Sequence, residues 1–204
     1  MRFVSIPILV GFICCVCTLA QCRSSTAEPP SANQASLTAA DLQPGLSRWQ
    51  ATARAAGQTY FYWRVKPAGE SEVREITGVQ IRNGVPVRRL VNRARYAAPG
   101  QMQVFEKFNE RHGQAGATPA GFPAQTMEQL YARCGQVVPK NSSDPQIDFG
   151  IQIDARGVLT QCYALEKGCH GDCARSFGVD GIVLREISAG EIESFLNTSS
   201  PVLQ

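Results

Sequence analysis

The chain has 204 residues with 20 basic and 17 acidic side chains, a formal net charge of +3. That length suits one domain with flanking segments. The charge is too small for the strongly basic face, interleaved with aromatics, that nucleic-acid binding demands, so that partner is excluded.

Arg2 is the one charge in the first twenty residues, and the uncharged run that follows ends in Leu19-Ala20-Gln21-Cys22, which reads as an export signal. This tetrapeptide resembles the lipobox of bacterial lipoproteins, which implies cleavage before Cys22 and acylation of that cysteine. Gln21 departs from the small residue usual there. Cleavage after Ala20, or retention of the segment as a membrane span, are the alternatives, since Phe3 to Ala20 is long enough to cross a bilayer. Within the resemblance, Arg23 rather than Asp after the cysteine implies the outer membrane where one exists. Several acyl chains on one cysteine would hold the domain at a membrane surface.

Residues 1–21 are therefore expected as a signal peptide and 22–40 as a lipid-anchored tether, because Ser24 to Ala40 is small, polar and twice interrupted by proline. Residues 41–190 are expected as a single domain and 191–204 as a C-terminal tail. Four cysteines, Cys134, Cys162, Cys169 and Cys173, follow the signal. In an oxidising compartment an even number suggests two disulfides with three possible connectivities, and we prefer Cys134 with Cys162 and Cys169 with Cys173.

Leu42, Leu46, Trp49, Ala53 and Ala56 recur at helical spacing, although Pro44-Gly45 delays the start, which predicts a helix over 45–56. Residues 58–66 are dense in aromatic and β-branched side chains and read as a strand with Phe61, Trp63 and Val65 on one face and Tyr60, Tyr62 and Arg64 on the other. Residues 72–82 and 85–91 flank Asn83-Gly84, whose tolerance of positive φ marks a two-residue hairpin turn. Pro86 argues that the second of these strands lies at a sheet edge. From Asn92 to Gln125 the chain reads as a long loop, with a short helix suggested by Met102, Phe105 and Phe108. So long a connection is either a cover for the sheet or a functional segment.

Thr126 with Gln129 three residues on opens a helix that Gly135 stops. Ile147, Phe149, Ile151 and Ile153 alternate with polar residues or glycine as in a half-buried strand. Residues 158–165 return as its partner, and 181–187 supply another strand. The sum is an α+β fold, an antiparallel sheet of five or six strands with two main helices packed on it.

The order of Trp49, Tyr60-Phe61-Tyr62, the hairpin Val79 to Val87, Thr126 to Tyr131 and Ile151 to Gly157 resembles a family of bacterial secreted proteins and lipoproteins known only as a domain of unknown function. The resemblance spans about residues 42–187. It implies a fold and no activity, because its motif residues are apolar, aromatic or turn-forming. Two features depart from the family pattern: Pro67-Ala68-Gly69-Glu70 where a cysteine-containing segment is common, and Cys169-His170-Gly171-Asp172-Cys173 in the last hairpin.

Cys169, His170, Asp172 and Cys173 are potential metal ligands, but five residues can hardly wrap a tetrahedral ion with four of their own side chains, so no metal site and no cofactor are expected. A redox-active pair, with His170 lowering a thiol pKa, is the alternative to a disulfide there. A hydrolase would need a nucleophile, base and orienting acid. His112 reads as a solvated surface residue, and Asp148 and Asp154 as well-separated solubilising residues on one strand. Arg82, Arg88, Arg89, Arg93 and Arg95 cluster around the hairpin and could meet a phosphate or other anion, unless strand alternation sends them to opposite faces or they act only to guard an edge. The sequence therefore reads as a non-catalytic envelope module whose partner is a membrane, reached through Cys22 or the N-terminal segment, and an envelope protein, glycan or lipid. A thiol-redox or metal-handling protein using Cys169 and Cys173, or a cryptic hydrolase, are the alternatives.

Overall fold

The computed structural model describes residues 37–68, 72–138, 146–168, 175–201 and 203. Cys22, Cys169, Cys173, His170, the signal segment and most of the tether lie outside them.

Helix α1 spans Ala39–Ala55. It begins earlier than the spacing suggests because the Asp41 carboxylate accepts from the Thr38 backbone N–H at 2.7 Å and hydroxyl at 3.0 Å, satisfying groups that a helix start leaves orphaned. The helix then runs through Pro44 and buries Gly45, Trp49 and Ala53.

Strand β1 (Tyr60–Lys66) is followed by β2 (Val73–Arg82), β3 (Val85–Ala98) and β4 (Gln101–Arg111). These strands pair consecutively and antiparallel, and β8 (Gly181–Val183) closes the far side of β1, giving the order β4-β3-β2-β1-β8. Asn83 and Gly84 take φ of 51° and 74° at the β2–β3 turn, the conformation that Asn-Gly accepts most readily. Helix α2 (Met127–Val137) follows, with the expected Thr126–Gln129 capping box. Strands β5 (Ile147–Ile153), β6 (Leu159–Glu166) and β7 (Arg175–Phe177) form a second antiparallel sheet. Helix α3 (Ala189–Asn197) ends the fold.

The class is α+β, as expected, with a five-stranded antiparallel sheet. A separate three-stranded sheet and a third helix add to it. β1 has no wet face. Tyr60 and Tyr62 join Trp49, Val79, Met127, Leu130 and Leu159 in one core, while Phe61 joins Ile76, Leu90, Ile192 and Phe195 in another. Each such buried side chain contributes roughly 1.5–3 kcal/mol. Residues 191–204, expected as a tail, therefore include most of a helix that covers one sheet face. The Asn92 amide donates to the carbonyls of Phe195 at 2.7 Å and Thr198 at 2.6 Å, fixing the end of α3 on β3.

Two further expectations need correction. The 92–125 segment is mostly strand: β3 continues to Ala98 and β4 replaces the expected helix. Its inward positions are Met102, Val104, Glu106, Phe108 and Glu110, and the glutamates among them interrupt the apolar alternation. β3 is also an interior strand, between β2 and β4. Pro86 is tolerated because pairing with β4 begins only at Arg88.

Cys134 of α2 and Cys162 of β6 are bonded, with Cα atoms 5.9 Å apart. Nearby, Tyr131 donates to the Gly157 carbonyl at 2.9 Å. A Cβ on Gly157 would lie 2.5 Å from the Gly45 carbonyl oxygen, so glycine is required where this turn meets α1.

Candidate functional site

Residues 112–126 cross the face of the five-stranded sheet as a strap bound by polar side chains. Arg89 is buried and donates to Glu110 at 2.7 Å, to the Phe122 carbonyl at 2.9 Å and to the carbonyls of Thr118 and Ala120. Glu110 accepts in turn from the backbone N–H of Gly116 at 2.6 Å and of Thr118 at 2.9 Å, and from the Thr118 hydroxyl. Thr77 accepts from the Phe122 N–H at 2.9 Å, and Tyr62 donates to the Gln125 carbonyl at 2.6 Å. The Arg64 guanidinium lies 3.7 Å from the centre of the Phe122 ring.

These groups are ionisable yet committed to structure. Burial pushes the Tyr62 phenol up to about 12 and raises those of Tyr60 and Tyr131. Burial pulls Arg64 down to about 10, against the opposing influence of Tyr62 and Asp180. Burial also raises Glu110, but the bonds from Thr118, Gly116 and Arg89 outweigh it and hold the carboxyl below its ordinary value. The segment 112–126 is thus a cover for the sheet.

The five arginines grouped by sequence do not converge. Arg82 pairs with Glu186. Arg89 is the buried anchor of the strap. Arg93 lies 2.9 Å from Glu75 and 2.5 Å from Glu106, and hydrogen bonding to Glu106 raises its pKa. Arg95, exposed, stacks 5.2 Å from the centre of the Phe105 ring. Arg88 turns to the opposite face from Arg89, where it stands directly across from Arg111 of β4. Neither Arg88 nor Arg111 has an ion-pair partner among the described residues.

What remains exposed on the β3–β4 ribbon is therefore specific. Tyr96 and Phe105 are 52% and 43% exposed, two of the three large exposed hydrophobics among the described residues. Arg95 lies against Phe105, and Arg88 and Arg111 form an unneutralised pair toward the other end. Reading 92–125 as loop and short helix does not mark Arg111, Tyr96 or Phe105 as surface residues of a strand; the alternation of Met102, Val104 and Phe108 is the available signal.

Asp148 is exposed and lies 3.8 Å from Lys167. Asp154 has a structural role instead, accepting from the backbone N–H groups of Arg156 and Val158 at 2.8 Å each in the β5–β6 turn. His112 is exposed just after β4. Among the described residues there is no metal-ligating cluster, and no helix long and apolar enough to cross a membrane. Comparison of the chain with protein-family models, curated proteins and solved structures finds no match.

Proposed function

We propose that this chain is an exported, lipid-anchored domain of the cell envelope that works as a non-catalytic binding module, with the β3–β4 ribbon as its contact surface. The observation that carries this reading is the concentration of exposed Tyr96, Phe105 and Arg95 on one ribbon, while buried Arg89, Glu110 and Tyr62 are engaged in holding the strap. Single exposed hydrophobics are ordinary, but aromatic residues and arginine together are what protein interfaces enrich. The N-terminal pattern ending in Cys22 supports the anchoring, and acyl chains there would keep the ribbon close to envelope proteins, glycans and lipids.

A photo-crosslinking residue substituted for Phe105 in the full chain, in intact cells, tests the contact surface. A discrete crosslinked species is expected from position 105 and none from Gln152, exposed on the second sheet. Equal crosslinking from both positions, or none from 105, contradicts the reading.

A further inference from the structure

We propose that Arg88 and Arg111 form a phosphate-binding site on the α3 face of the five-stranded sheet. This deepens the reading of the ribbon as a contact surface and rests on it. The two residues stand directly opposite on neighbouring antiparallel strands, where side chains share a face with Cβ atoms about 4.5–5.5 Å apart and like charges are destabilising. An ordinary sheet would place an acid at one of the two positions, and the described acids nearby are engaged elsewhere. Glu186 pairs with Arg82, Glu191 with Arg185, and Glu193 accepts from Asn197 at 2.8 Å. Glu110, adjacent to Arg111, points to the other face and holds Arg89.

The floor beneath the pair is firm. Gln80, opposite Arg88 on β2, donates to the carbonyls of Tyr60 at 2.8 Å and Ile81 at 3.0 Å and accepts from the Ile187 N–H at 2.9 Å. Leu90, two residues along the same face, is fully buried under α3. Arg88 is itself half-buried, so part of its side chain already packs on the sheet before any ligand arrives. Two guanidinium forks offer donors and no acceptor. A carboxylate satisfies one fork, whereas a phosphate has oxygens and charge enough for both, turning mutual repulsion into shared attraction. Lys107, on the same face four residues before Arg111, donates to Asn197 and adds positive charge at the border.

The test uses the full chain in nonionic-detergent micelles, titrated with inorganic pyrophosphate by calorimetry and thermal unfolding. Mixed micelles doped with phosphatidylglycerol or phosphatidylcholine form the second arm. Arg88→Gln and Arg111→Gln are each expected to weaken binding at least tenfold, and Arg54→Gln, at an exposed position of α1, to leave it unchanged. Removing either arginine is also expected to raise the ligand-free melting temperature by about 1–3 °C, so lost binding is not lost folding. Binding to phosphatidylglycerol alone assigns the site to a lipid headgroup, and binding to pyrophosphate assigns it to soluble or polymer-borne phosphate; either supports the proposal. No binding in either arm, or undiminished binding by the double variant, overturns it. Crosslinking from Phe105 is read independently of phosphate, so failure here leaves the contact-surface reading to its own test.

Discussion

Glu110 is drawn in two directions, upward by burial and downward by the donors around it, and the donors win. Its folded pKa is thus below the ordinary value of 4.5, so its contribution to stability is complete above that value and is lost as pH falls through the folded one. Glu191, held near 2 first by Arg185 and then by Ser188, adds to the decline over the same acid range. Glu110→Gln leaves Arg89 buried without a counter-charge, and a cost of about 3 kcal/mol is expected at pH 7. In urea unfolding the wild type should lose stability between pH 5 and 2, and the variant should lose less over that range. A variant within about 0.5 kcal/mol of wild type would show that the strap does not depend on this pair. Adjacent arginines carry the lesson of legibility at this scale. Arg88 and Arg89 look alike in sequence, yet alternation sends one half-buried to the α3 face and the other fully buried beneath the strap, and the acid that distinguishes them lies 21 residues further on.

At the scale of elements, the readings that hold are those with a local cause. Asn83-Gly84 turns because of its backbone freedom, α2 starts where Thr126 caps it, and β5 alternates as expected. β4 was not legible because its inward face carries Glu106 and Glu110, which pair with arginines of β3, so the apolar alternation fails where the structure needs charge. Met102, Phe105 and Phe108 then imitate helical spacing. α3 begins just before the expected tail, and Ile192, Phe195 and Leu196 supply its buried side. The bond between Cys134 and Cys162 ties α2 to the second sheet across 28 residues. In the chain-entropy view that closure stabilises by about 3–4 kcal/mol. Replacing both cysteines by alanine should lower the denaturation midpoint correspondingly, and an unchanged midpoint would mean that packing of α2 on β6 suffices without it.

For the molecule as a whole, the two covers of the main sheet differ in chemistry. α3 lies on one face through an apolar core, whereas on the other face the strap, held through Arg89, Glu110, Thr77 and Tyr62, lies beside a second apolar core that includes Trp49, Tyr60 and Met127. Between them the β3–β4 ribbon leaves Tyr96, Phe105 and Arg111 exposed and Arg88 half-buried. The proposed function puts recognition there and lipid anchoring at Cys22. Hydrogen exchange of the full chain in isolated envelope membranes, compared with the chain in detergent micelles, tests this most directly. The strap amides of Gly116, Thr118 and Phe122, bonded to side chains, should exchange slowly in both settings. Amides of 94–105 should slow at least tenfold in the membranes, where a partner covers the ribbon. Equal exchange of that ribbon in both settings would contradict its role as the contact surface.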